Sequence, residues 1–485
     1  MAKCTTGKLK YNYIMNRRIF LERFGLLATG MVVSLKSNAF NQLAHGNTIT
    51  GKVTDGKNPI ANVVLSDGFE VVKTDAMGKY SITLNDKSEF LFLSTPAGYD
   101  FKTDVGSINR QYEALGARNE LDFKLKKLKQ ADNKHHFIIW ADPQVKNKKD
   151  VAQMMETSVP DVKRLVKDLG SKALVHGIGV GDLVWDALPL FDDYSKAVEA
   201  MGIPFFQCLG NHDMDYRLGG DDTSDRTFKQ YFGPTYYSFN RGKAHYIVLD
   251  DVRYLGEERK YDGYISEAQL AWMEKDLQHV PKDHLVIINV HIPIHNSVKN
   301  NTAFYDILRS FTNVHVMSGH THYTRNVIKE GVFEHNHGAV CGAWWTGPIC
   351  SDGSPRGYGV YEVNGNQMKW YYKGTDLDRK HQISIDIEPL TANNRIIANV
   401  WNYDPAWKVE CLLDGQPVAL EAMKGFDPEA VRLYKGDKLP KGRTFAEPSR
   451  TEHLFMAHCS ATVKIVKIIA TDRFGEQFTA EKKLP

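Results

Sequence analysis

Five short polar clusters stand out along the chain: Asp142-Pro143-Gln144, Gly181-Asp182, Gly210-Asn211-His212-Asp213, His291, and Gly319-His320-Thr321-His322. Each follows an apolar run, and together they offer oxygen and nitrogen donors with no thiol among them. Carboxylate, imidazole and amide groups gathered in one place suit divalent Mn, Fe, Zn or Co and exclude a thiolate-type structural zinc site. Alone, a histidine at a strand end is usually a satisfied structural imidazole, and a Gly-Asp is usually a turn. Five such clusters at the ends of five apolar runs point instead to one shared site.

The segments that must position them alternate between strand and helix patterns from 135 to about 375. The strand HHFIIW (135–140) is followed by helical spacing over 150–170, which Pro160 should interrupt. Then come the strand ALVHGIGVGD (173–182), a helix over 187–201 and the strand IPFFQCLGNHD (203–213). KAHYIVLDD (243–251), a helix at 266–280, HLVIINVHIP (284–293), a helix near 302–310 and VHVMSGHTH (314–322) continue the alternation. This rhythm predicts an α/β core that presents its site at the carboxyl ends of the strands. Beyond 323 the pattern becomes hairpin-like, with a strong turn signal at Asn364-Gly365. The glycines of HGIGVGD lack a third glycine opening a helix and so make a poor dinucleotide fingerprint; they read as a closely packed strand. Gly219-Gly220-Asp221-Asp222 reads as a surface loop.

In order and spacing the clusters resemble the signature of the calcineurin-like metallophosphoesterases: Asp-x-His, Gly-Asp, Gly-Asn-His-Asp/Glu, His, Gly-His-x-His. The resemblance covers 135–375, with the last four blocks intact. It implies a two-sheet α/β sandwich binding two divalent metal ions. One ion would take Asp142, the residue at 144, Asp182 and His322; the other would take Asp182, Asn211, His291 and His320. Asp182 would bridge the pair, because neighbouring cations need a shared anion to damp their repulsion. The metals would lower the pKa of a bound water, giving a hydroxide that attacks phosphorus. His212 would be the general acid at the leaving group, with Asp213 orienting it from behind. The family places histidine at 144. Gln144 offers only a neutral carbonyl oxygen, so a looser first metal site is expected. Trp344 and Trp345 in CGAWWTG follow the last cluster by about one hairpin, and one of them is expected to touch substrate. Tyr216, Arg217 and Tyr254 are as readily structural, and Arg253 is expected to be a spectator.

At 485 residues the chain exceeds one ordinary core. Hydrophobic content of 42% and charged content of 25% describe a globular protein. A net charge of +3 gives no support to a nucleic-acid surface, so the expected partner is a small-molecule phosphate ester. Residues 1–45 read as a signal peptide and leader, with basic MNRRIFLERFG, apolar LLATGMVVSL and small residues after it. The apolar run is too short to span a bilayer, and export to the periplasm or cell surface is expected. Residues 46–128 alternate β-branched and polar residues between turn signals and resemble a transthyretin-like or carboxypeptidase-regulatory-like β-sandwich. Residues 380–485 are β-leaning and read as a third domain. Export permits disulfides, and a Cys341–Cys350 bridge closing the tryptophan loop is one of two outcomes, because sequence does not fix pairing. Cys208 reads as a core residue. Two functions follow: an exported phosphoric-ester hydrolase or, alternatively, a cell-envelope binding protein whose metal site is structural or impaired. A metallopeptidase would need a His-Glu-x-x-His or His-x-x-Glu motif, and neither occurs.

Overall fold

The computed structural model describes residues 47–103, 107–391, 393–437, 439 and 446–484. The expected leader over 1–45 lies outside them.

The centre is a sandwich of two sheets. One runs in the order Phe205–Cys208, Val175–Val180, Lys134–Trp140, Gly357–Asn364, Gln367–Gly374. The other runs Tyr237–Arg241, Ala244–Val248, Leu285–Asn289, Val314–Ser318, Val332–Asn336, Arg325–Lys329. The first three strands of the first sheet and the four inner strands of the second are parallel, and helices connect most of them; Gly357–Asn364 runs antiparallel to Lys134–Trp140. Strands covered on both faces have no polar side to show, which is why Val175–Val180 and Leu285–Asn289 are buried throughout. The sheets meet through aromatic pairs: Phe206 stacks on Phe239 at 3.8 Å, and Phe137 meets Tyr246 edge-on at 5.4 Å. Gly177 serves packing on the opposite face of the first sheet, where a Cβ there would lie 2.0 Å from the Phe205 ring. The glycines of HGIGVGD thus serve close strand packing.

Register brings the carboxyl ends level. Trp140 pairs with Gly179 and Val180 with Cys208 in one sheet; Val248 pairs with Asn289 and Asn289 with Met317 in the other. The residues just beyond these ends therefore share one rim. The helical stretch after the first strand is two helices, Lys148–Glu156 and Ser158–Leu169. The break falls at Thr157 rather than at Pro160. Proline fits the first turn of a helix, where its missing N–H has no partner to lose, so the interruption comes just before it. Asn364 and Gln367 close a two-residue hairpin turn, with Gly365 at φ +64°. Asp221–Ser224 forms one short helical turn in the stretch read as a loop.

Both flanks are β-rich. Residues 48–124 form a three-stranded and a four-stranded sheet around Ile49, Val53, Leu65, Ile82, Leu91 and Leu93. The described residues of 383–483 form two four-stranded sheets around Ile396, Val400, Val466 and Ile468, with the helix Pro428–Lys435 among them. Each flank engages two outer strands of the central sandwich. Thr95 bridges Phe239, and Ile108 bridges Phe205. On the other side Asn326 donates to the Asn402 and Tyr403 carbonyls, and Gln382 donates to the Tyr372 carbonyl at 2.6 Å. Among the described residues no helix is long and apolar enough to cross a membrane.

Cys341 and Cys350 are both buried and free, which corrects the bridged alternative. Each thiol has its own neighbours: Cys350 Sγ lies 3.6 Å from the Ala339 carbonyl, and Cys341 Sγ lies 3.5 Å from that of Gly342. Cys208 is a core residue.

Candidate metal centre

Asp142, Gln144, Asp182, Asn211, His291, His320 and His322 converge at the rim. Asp182 lies at the middle. Its Oδ1 is 3.2 Å from His291 Nε2, and its Oδ2 accepts from Gln144 Nε2 at 2.6 Å. One carboxylate thus serves two lobes. In one lobe, Asn211 Oδ1 is 3.0 Å and His320 Nδ1 is 3.1 Å from His291 Nε2. Donor atoms of Asp182, His291 and His320 all fall within 4.8 Å of one another, close enough to share an ion. In the other lobe, His322 Nε2 approaches Asp142 Oδ1 at 3.4 Å.

The far nitrogen of two imidazoles is fixed by backbone. His291 Nδ1 donates to the Val180 carbonyl at 2.9 Å, and His322 Nδ1 donates to that of Gly342 at 3.2 Å. In both rings this leaves Nε2 as the basic nitrogen turned to the lobe. Asp251 accepts from the His291 and Ile292 amides and holds that loop from below; burial pushes its carboxyl up to about 7.

The backbone here is strained. Asp142, Gln144, Asp182, His320 and His322 all have left-handed φ, between +38° and +70°. Residues with a Cβ enter that region at a cost, and such strain gathers where surrounding structure and function demand it. Packing explains part of the path: a Cβ on Gly210 would lie 2.0 Å from the Asp182 amide nitrogen.

The charges interlock. Burial works against ionised Asp182, but His291 and His212 hold its carboxyl well below the usual range. Burial would likewise depress His291, yet Asp182 and Asp142 lift it to about 10. His320, pressed by burial and by His291, falls to about 4. The donors also fit a metal directly: Gln144 Oε1 is buried and has no hydrogen-bond partner. It is an oxygen donor that a cation would satisfy, beside the carboxylate its own amide group already holds.

His212 borders the site and is partly exposed. Its amide donates to Asp182 Oδ1 at 2.9 Å, and its Nδ1 pairs with Asp186 Oδ1 at 2.9 Å. Asp213, expected to orient it, is engaged elsewhere. It is fully buried and accepts from the Leu183, Val184 and Gly210 amides, tying two rim loops together, and burial pushes its carboxyl up to about 8. The carboxylate on the His212 ring is Asp186, which sequence reasoning missed although it stands four residues beyond Asp182. Arg259 pairs with its other oxygen at 2.7 Å.

The two tryptophans part company. Trp344 is half-buried and stacks on His322, with centroids 4.7 Å apart and planes at 29°. Trp345 is buried; its Nε1 donates to the Pro143 carbonyl at 2.8 Å and steadies the Asp142–Gln144 turn from beneath. Arg253 is paired with Asp262 and lies outside the cluster. Tyr216 donates to the Asn211 carbonyl, Tyr254 to that of Glu258, and Tyr261, not foreseen from sequence, meets His320 edge-on at 5.9 Å.

Three family models match in succession: the N terminal of calcineurin-like phosphoesterase over 47–128, calcineurin-like phosphoesterase over 124–324, and the C terminal of calcineurin-like phosphoesterase over 334–478. No curated protein matches the chain. Among solved structures it is similar to a dimetal phosphatase from Danio rerio, with 16% identity, 50% of this chain and 96% of that chain covered, and a TM-score of 0.37. It is also similar to a purple acid phosphatase from yellow lupin seeds, with 13% identity, coverage of 74% and 68%, and a TM-score of 0.35. Successive matches to the front, middle and rear of one family leave little of residues 47–478 unclaimed, and the chain belongs to the calcineurin-like phosphoesterases, metal-dependent hydrolases of phosphoric esters.

Proposed function

We propose that the chain, exported to the periplasm or cell surface, hydrolyses phosphate mono- or diesters or pyrophosphate links, with His212 as general acid. The observation that carries this reading is the Asp182 carboxylate, whose two oxygens face different donor sets. One ion would be held by Asp142, Gln144, Asp182 and His322, and a second by Asp182, Asn211, His291 and His320. When bound, the ions supply Lewis acidity toward the phosphoryl oxygens and an attacking water of lowered pKa. The mixed oxygen and nitrogen donors suit Mn, Fe, Zn or Co.

The chain's own groups do the rest. The Val180 and Gly342 carbonyls keep His291 and His322 in the tautomer that points Nε2 inward. Asp186 engages Nδ1 of His212, which leaves Nε2 to hold a proton for the leaving-group oxygen. Burial opposes a charged His212, but Asp182 and Asp186 raise its pKa above the ordinary value and favour the proton-bearing form. Export is supported by the order of basic, apolar and small residues in the leader.

The test is turnover of p-nitrophenyl phosphate and bis-p-nitrophenyl phosphate with each of the four metals. Asp182→Asn should abolish it and release both ions. Undiminished turnover in that variant, or none in the parent protein with any metal, contradicts the reading. For export, intact-mass analysis of the secreted protein should show the leader removed, and a retained residue 20 contradicts it.

A further inference from the structure

The hairpin of strands Val252–Tyr254 and Tyr261–Gly263 stands beside the metal centre, and its register sorts its side chains. Arg253 lies opposite Asp262, and Tyr254 lies opposite Tyr261. Opposite residues in an antiparallel pair share a face, and neighbours along a strand alternate. One face therefore carries the salt bridge and the other the two tyrosines. The charged face is a brace: Arg253 donates to both Asp262 oxygens at 2.9 Å, and Lys299 Nζ joins at 2.6 Å. The base of the hairpin is tied to the loop that bears His291. The Tyr264 amide donates to the Asp251 carbonyl, and the Asp251 carboxylate accepts from the His291 amide. The tyrosine face turns to the site, where Tyr254 meets Tyr216 edge-on at 5.4 Å and Tyr261 meets His320 at 5.9 Å.

Of the three tyrosines gathered here, two have spent their hydroxyls. Tyr216 donates to the Asn211 carbonyl and Tyr254 to that of Glu258. Tyr261 is half-buried, and its hydroxyl has no hydrogen-bond partner among the described residues. A tyrosine drawn out of water ordinarily gives its O–H a partner, so this one is held ready for a group that arrives. Burial, and then the charges of Asp182 and Asp142, push the hydroxyl up to about 12, so it keeps its proton at neutral pH and serves as a donor. We propose, on the hydrolase reading above, that Tyr261 is a further substrate-contacting residue, its hydroxyl donating a hydrogen bond to a non-bridging oxygen of the phosphoryl group. An ionised phosphoryl oxygen offers only lone pairs, which makes it the complement of this donor.

Tyr261→Phe keeps the ring on His320 and removes the hydroxyl alone. Inorganic phosphate is titrated by calorimetry into the full, Mn-loaded parent and variant, and kcat/KM is measured for an alkyl and a p-nitrophenyl ester. Phosphate should bind roughly tenfold more weakly to the variant, the loss of one hydrogen bond to a charged acceptor. The ratio kcat/KM should fall by a similar factor for both esters, because the contact is to the transferred group and not to the leaving group. Metal content and melting temperature should stay at the parent values. Phosphate affinity and kcat/KM left unchanged in the variant overturn the proposal. A loss confined to the alkyl ester overturns it too, by placing the hydroxyl at the leaving group, and so does loss of metal, by making Tyr261 a support for His320. If no ester is turned over, the hydrolase reading fails separately and the phosphate titration decides alone. Weaker binding by the variant then supports the contact, and equal binding, or none by either protein, overturns it.

Discussion

Replacing Asp186 with asparagine keeps the shape beside His212 and removes the charge. The Asp186–His212 contact is 2.9 Å, with the two side chains 14% and 21% exposed, so solvent screens it only in part. A hydrogen bond to a charged partner contributes about 1.5–3 kcal/mol, and a neutral one about 0.5–1.5 kcal/mol. Asparagine can still accept from Nδ1, so the loss is the difference, about 1–1.5 kcal/mol, or roughly 5- to 12-fold in rate. That loss should depend on the leaving group. An alkoxide needs the proton from His212, whereas p-nitrophenolate leaves with little help. The assay compares kcat for an alkyl and a p-nitrophenyl ester in the parent and in Asp186→Asn. The alkyl ester should slow by the full factor and the p-nitrophenyl ester by much less. Asp213→Asn is the control: it disturbs three amide contacts and should lower the melting temperature without sorting the two esters. Equal slowing of both esters in Asp186→Asn, or leaving-group selectivity appearing in Asp213→Asn instead, refutes this assignment.

Metal titration of the parent protein should resolve two unequal affinities, and Gln144→His should tighten the weaker one about tenfold or more by exchanging an amide oxygen for imidazole; two equally tight sites in the parent contradict the reasoning. Tyr434→Phe removes a hydroxyl that donates to the Ile349 carbonyl at 2.6 Å, at a cost of about 1–2 kcal/mol in thermal or denaturant unfolding. Because Tyr434 and Ala430 pack against Ala343 and the partly buried Trp344, the same variant should raise KM more than it lowers kcat; a change in kcat alone counts against that coupling. After denaturation without reductant, Cys341 and Cys350 should both alkylate fully, and recovery of a linked peptide pair by mass spectrometry would contradict their free state.

The convergence of the candidate ligands was legible because each sits within five residues of the end of an apolar run, and parallel strands in register bring such ends to one rim. Asp142, Asp182, Asn211, His291, His320 and His322 meet as that logic requires. His212's partner was not legible, because two carboxylates, Asp186 and Asp213, are equally close in sequence to the rim loops. The turn of the chain decides: Asp213 points down into three amides, and Asp186 points across to the ring. The difference between Trp344 and Trp345 was hidden for a similar reason. Adjacent residues project differently, and the path of their loop is set by distant groups: the Tyr434 hydroxyl, and the Asp352 carboxylate that accepts from Thr324 and pairs with His453. No local pattern encodes those contacts.

The four outer strands of the central sandwich are each met by a neighbour, two by the front module and two by the rear one. A fragment cut to the catalytic segment would leave unpaired the Phe205 and Asn240 backbone groups that the front module now engages and the Tyr372 carbonyl that Gln382 now satisfies, and open edges of this kind are surfaces by which sheets find each other in solution. Such a fragment should clump or be degraded rather than work as a miniature enzyme. The flanks are thereby bound up with whether the catalytic piece can exist at all, and shortened versions should begin by trimming loops and leave both modules in place.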